Sequence, residues 1–153
     1  MMLAAVAVLG ITSGVAVQYQ SKISHREKEK ELLFRGQAIM KAVQSYYEAG
    51  KTVKLYPPTL DALLQDDRYV LKKHLRKLYI DPFTLKADWV VIKNQYGVGI
   101  FGVHSRSDKQ PVKRANFPLG LESFEAASSY SDWHFVYQPT ATIPLKNKNT
   151  LKK

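Results

Sequence analysis

The chain opens on a run without a charged residue: positions 1–17 read MMLAAVAVLGITSGVAV, with Thr12 and Ser13 its only polar side chains. As a helix, rising about 1.5 Å per residue, this run covers roughly 25 Å, and Gln18, Tyr19 and Gln20 extend it toward the thickness of a hydrocarbon core. The helical pattern does not stop there. Residues 21–49 contain no proline and a single glycine, Gly36. Within them His25-Arg26-Glu27-Lys28-Glu29-Lys30-Glu31 alternates charges that pair at i, i+3 and i, i+4 along a solvated helix. Leu32, Leu33, Ile39, Met40, Val43, Tyr46 and Tyr47 then recur at helical spacing, and Gly50 is a natural stop. The pattern predicts one helix of about 48 residues, roughly 70 Å long. Its first third is transmembrane, its middle charged and exposed, its last third amphipathic. The competing pattern is two helices broken near residues 18–24.

After Gly50 the periods shorten. Tyr56-Pro57-Pro58-Thr59-Leu60-Asp61-Ala62-Leu63-Leu64 predicts a short helix, N-capped by Thr59, with Leu60, Leu63 and Leu64 facing inward. Residues 70–78 interleave Lys72, Lys73, His74, Arg76 and Lys77 with Leu71, Leu75 and Leu78, which predicts a second short amphipathic helix. Asp81-Pro82-Phe83-Thr84 is a turn. Two strands follow over 89–93 and 99–104, joined as a hairpin through 94–98. A loop spans 105–117, a brief helical turn 121–129, and a third strand 132–137. Tyr46, Tyr47, Trp89, Phe101, Trp133 and Phe135 supply the core where the sheet covers the helix. Residues 139–153, with lysines and no acid, read as a basic, disordered tail. The expected fold class is therefore α+β: a long N-terminal helix, transmembrane then amphipathic, packed on a small antiparallel sheet. Residues 1–20 form the transmembrane half, 21–138 the head including the helix half 21–49, and 139–153 the tail.

Charge adds a candidate surface. The chain carries 23 basic and 13 acidic residues, a formal balance of +10, which favours anionic lipid, nucleic acid or an acidic protein. Lys72, Lys73, Arg76, Lys77, Lys113 and Arg114 are candidate contacts for an anion or nucleic acid, with Tyr69, Tyr79 and Phe117 available for stacking. The plainer reading of the same residues is a solvated surface or a charged subunit interface. Chemistry is harder to find. With no cysteine, thiolate zinc, thiol catalysis and disulfides are excluded. His25, His74, His104 and His134 form no local ligand pair, although His104 and His134 can meet across strands. Ser105 and Ser107 lie near His104 and Asp108 but lack a nucleophile elbow, and Gly97-Val98-Gly99 is a turn rather than a dinucleotide fingerprint. No catalytic residue, metal or cofactor is expected, and the chain reads as a non-enzyme.

One ordered set of features carries a resemblance. An apolar N-terminal helix, an amphipathic continuation ending in Tyr46-Tyr47, then Tyr56-Pro57, the leucines of 60–64 and Asp81-Pro82-Phe83 ahead of a hairpin resemble the major pseudopilins of type II secretion and the type IV pilins. The resemblance covers about residues 1–137. It implies a single-pass protein of the bacterial inner membrane with a periplasmic head. It further implies assembly into a thin filament with copies of itself and other pilin-like subunits, driven by inner-membrane machinery. The family's short basic leader ending in glycine, with an aromatic residue and a glutamate after it, has no counterpart here. Either the start lies inside a longer product, or this member is not processed in the usual way. Nor does the family's calcium loop carry over, since 102–109 holds one carboxylate amid positive charge.

In such a subunit Ala4, Ala5, Ala7, Gly10, Gly14 and Ala16 let neighbouring helices approach closely once withdrawn from membrane lipid. Arg26, Glu27, Lys28, Glu29, Lys30 and Glu31 form a charged band that sets register between copies. Two other functions fit the same chain: a membrane-tethered periplasmic binding domain that never polymerises, and a DNA-binding pilin of an uptake system.

Overall fold

The computed structural model describes residues 2–93 and 98–139, with side chains on the first helix described from Ser24 onward. Helix α1 (Met2–Ala49) is a single continuous element of 48 residues. A three-stranded antiparallel sheet, β1 (Val90–Lys93), β2 (Ile100–His104) and β3 (Phe135–Val136), lies in the order β1-β2-β3, and α1 packs on β2 and β3. The fold class is thus α+β, one long helix on a small antiparallel sheet. Among the described residues no helix is long and apolar enough to cross a membrane. The small residues Ala4, Ala5, Ala7, Gly10, Gly14 and Ala16, the hairpin tip over 94–97 and the tail beyond Pro139 lie outside the residues or side chains described.

The face α1 turns to the sheet follows from spacing. Leu32, Gly36, Ile39, Val43 and Tyr46 are all buried and recur in steps of four and three, which keeps them on one stripe of a helix with 3.6 residues per turn. Gly36 is small for a reason on the opposite wall: a Cβ there would drive into the Phe135 ring. Around Phe135 the rings close-pack, with Phe124 stacked on Trp133 at 5.2 Å and Tyr130 edge-on to Trp133 at 5.0 Å. These rings and the helix stripe make one hydrophobic core.

The end of α1 has no basic residue of its own in the last turn, yet its final carbonyls are not left bare. Arg68 donates to Tyr46 O at 2.8 Å, Lys54 to Glu48 O at 2.8 Å and the Tyr69 hydroxyl to Ala49 O at 2.5 Å. Gly50 N–H closes on Tyr47 O at 3.3 Å. Cations from outside the helix thereby satisfy the negative end of its dipole.

Several short elements differ from the sequence pattern. The leucine-rich segment after Tyr56-Pro57 is a single 3-10 turn (Asp61–Leu63), preceded by Leu60 with no side-chain cap. Thr59 Oγ1 still accepts from Ala62 N–H at 3.3 Å, and Leu63 is the leucine fully buried. The second predicted helix over 70–78 does not form. His74 and Leu75 both donate their N–H groups to Leu63 O, at 2.9 and 2.8 Å, and Asp66 N–H bonds Lys72 O. Leu71 sits at φ 59°, in the left-handed region. The backbone there is tied to its neighbours instead of to itself. The third strand is shorter than the pattern, since Tyr130–Asp132 forms a 3-10 turn before β3. The helical turn expected over 121–129 is present as the 3-10 segment Glu122–Ala126.

Candidate functional site

What the head does to the helix is the most developed feature of the molecule. The stripe that buries Leu32, Ile39 and Val43 extends backward in the same steps to Glu29 and His25. Glu29 is only 4% exposed. Its carboxylate accepts the N–H groups of Val112 and Lys113, each at 2.8 Å, and the Tyr130 hydroxyl at 2.6 Å. Because that hydroxyl spends its proton on Glu29, the His25 Nε2 that lies 2.9 Å from it must be the donor. Burial, then the hydrogen bond to Glu29 and its charge, pushes the Tyr130 phenol far above its usual range. A carboxylate on the helix is thus held from two separate segments of the head.

A second grip lies near the other end. Asp66 is fully buried and accepts from Arg68 Nε and Nη2, both at 2.9 Å, and from His74 Nε2 at 3.0 Å. Arg68 also lies over the Tyr46 ring at 3.7 Å, and His74 Nδ1 meets Ser45 Oγ at 2.8 Å. The Arg68 guanidinium, with His74 behind it, holds the Asp66 carboxyl well below the usual carboxylate range. Between the two grips the chain runs as a strap. His74 touches Ser45, Tyr79 meets Phe34 edge-on, Ile80 O accepts from Arg35, and Phe83 packs on His25. Nine extended residue steps cover about 30 Å, and the twenty helical residues from Ser45 to His25 cover about the same. A helix over 74–83 would fall short by half.

Asp81 fixes the lower end of this strap. It accepts from Phe83 N–H at 2.7 Å and from the Ser105 hydroxyl at 2.5 Å, so the Asp-Pro turn is pinned to the end of β2. Phe83 then stacks on Tyr130 at 4.2 Å.

The expected charge band divides. Glu27 pairs with Lys30 at 2.8 Å and Glu31 with Arg35 at 2.8 Å, all along the helix, and Arg26 is exposed. Glu29 does not belong with them: its burial removes it from any contact between copies. Lys28 is half-buried and lines a small cleft. The two basic clusters are not brought together. Lys72, Lys73, Arg76 and Lys77 are exposed beside Ser45, whereas Lys113 sits beside Glu29, about 24 Å away along the helix. The rings considered for stacking are already covered, Tyr69 by Lys72 at 5.0 Å, Tyr79 by Lys77 at 5.8 Å and Phe117 by Lys113 at 5.0 Å. Arg114 is exposed and gives one of its donors, Nη1, to Ala127 O at 2.8 Å. His104 and His134 do meet, with ring centroids 5.1 Å apart, but no group of three or more metal-binding side chains occurs among the described residues.

Asp66 is absent from the sequence-based candidates, Asp81 figures there only as part of a turn, and Glu29 only as one member of the exposed charge band. Only Glu29 carried a signal, a charge at a position in phase with the apolar stripe. Comparison of the chain with protein-family models, curated proteins and solved structures finds no match.

Proposed function

We propose that the chain is a filament subunit of the pilin or pseudopilin type, anchored in the bacterial inner membrane and assembled through the N-terminal half of α1. The observation that carries this reading is the division of the helix. Its 48 residues span about 72 Å, and the head's grips run from His25 to Tyr46. The half that precedes them includes the uncharged run 1–17, with Ala4, Ala5, Ala7, Gly10, Gly14 and Ala16 at spacings suited to close helix contact. A stem of that composition suits lipid first and other stems afterwards. Partners on this reading are copies of the chain, other pilin-like subunits and the inner-membrane assembly machinery. Nucleic acid is disfavoured by the separation of the basic clusters and by the lysines already seated on Tyr69, Tyr79 and Phe117.

The absence of cysteine makes the test direct. A double variant, Ala7→Cys with Gly14→Cys in the full chain, oxidised in cells, is expected to produce a ladder of crosslinked multimers, whereas either single cysteine stops at the dimer. Monomers alone at every stem position would make the chain a tethered binding domain instead.

A further inference from the structure

At the foot of the head, Ser24, His25, Lys28, Phe83 and Lys109 line a cleft of about 160 Å³. We propose that this cleft binds the phosphate of an anionic phospholipid headgroup, seating the head on the membrane surface before assembly. The inference rests on the membrane-anchor reading.

Its charge is unbalanced. Neither Lys28 nor Lys109 forms an ion pair with a carboxylate among the described residues. The acids adjacent in the chain have other partners, Glu27 in Lys30 at 2.8 Å, Glu29 in Val112, Lys113 and Tyr130, and Asp108 in the Ser131 hydroxyl at 3.0 Å. The Phe83 wall is rigid, stacked on Tyr130 and met edge-on by His25 at 5.3 Å. Two lysines and a serine therefore line the cleft, with no acidic residue among the described residues that line it. Its volume falls below the roughly 300–1,000 Å³ of sites for drug-sized molecules and suits one ionic group.

Depth selects the source of that group. If residues 1–20 fill the hydrocarbon layer, Ser24 stands about 6 Å and Lys28 about 12 Å beyond it. The polar layer of each leaflet is about 5–8 Å thick. Ser24 and His25 then lie at headgroup level, and lysine side chains reach back toward it. Basic residues at that level attract anionic lipid.

The full chain in detergent micelles doped with phosphatidylglycerol or phosphatidylcholine, examined by native mass spectrometry, tests this. Retention of phosphatidylglycerol is expected to exceed that of phosphatidylcholine on the order of tenfold. The preference should vanish in a Lys28→Gln/Lys109→Gln variant and persist in Lys72→Gln/Lys73→Gln, with circular dichroism confirming that each variant is folded. A preference that survives the Lys28/Lys109 change, or falls equally in both variants, overturns the site. Complete displacement of the lipid by equimolar inorganic phosphate makes it a free-anion site and overturns the lipid assignment. None of these readouts requires a filament, so the lipid site can fail while assembly stands. Failure of the unaltered chain to float with vesicles would sink the anchor and the lipid site together.

Discussion

Glu29 sits where a leucine would be expected from the spacing of its helix, and three donors from the head converge on it. Replacing it by alanine takes the acceptor from two backbone N–H groups and from the buried Tyr130 phenol. A loss of about 3 kcal/mol in head stability is expected, read from the denaturation midpoint of the full chain. Glu27→Lys, two residues away on the exposed face, should change stability by less than about 0.5 kcal/mol. This separates a residue that holds the head from one free to act between copies. Asp66 makes a pH prediction. Its carboxyl is depressed in the folded chain by Arg68 and His74, so the unfolded chain binds the extra proton on acidification. The stabilisation is full above the ordinary carboxylate value of about 4 and drains as pH falls below it. Asp66→Asn should therefore be less stable at neutral pH and lose less on acidification than the unaltered chain. Exposed Asp132, lowered to about 2 by the hydroxyls of Ser128 and Ser129, has the same sign and leaves a residual slope. Residue-scale roles were mostly illegible in the sequence because the partners of Glu29, Tyr130 and Val112, lie more than eighty positions away. Within its own segment it is one charge among six alternating ones.

Among the elements, the long helix was legible because a periodic stripe and an absence of breakers are local properties. The strap over 74–83 was not. Its leucines and cations have helical spacing, but the length of helix it must cover favours extended backbone, and that requirement exists only once Ser45 and His25 are known to be its endpoints. Leu71 marks where the helix is refused. It is 81% exposed at φ 59°, a conformation costing a leucine roughly 1 kcal/mol, with little packing in return. Leu71→Gly is expected to keep the head's stability or raise it by up to about 1 kcal/mol, measured by thermal unfolding. In a helix the same change would cost about 1 kcal/mol, so the sign alone distinguishes the two backbones. The strands were legible from their apolar runs. The shortness of β3 was not, because the 3-10 turn Tyr130–Asp132 is built on a capping box closed by Ser129 and Asp132.

At the scale of the whole molecule, the head clasps α1 at Glu29 and again at Tyr46, about 26 Å apart along the axis. Two clasps that far apart forbid the head from swivelling on its stem. Azimuth therefore passes along the shaft unchanged, and each residue of stem is worth about 100° of rotation and 1.5 Å of lift. On the filament proposal, adding one alanine between Gln20 and Ser24 should turn the head about a quarter of a revolution and abolish assembly of a helical polymer. Adding seven brings it back to within about 20° of its starting phase while lifting it about 10 Å. Filament yield in electron micrographs should track the angle rather than the length. The molecule then behaves as a keyed shaft, in which a buried carboxylate decides the direction its outer surface faces.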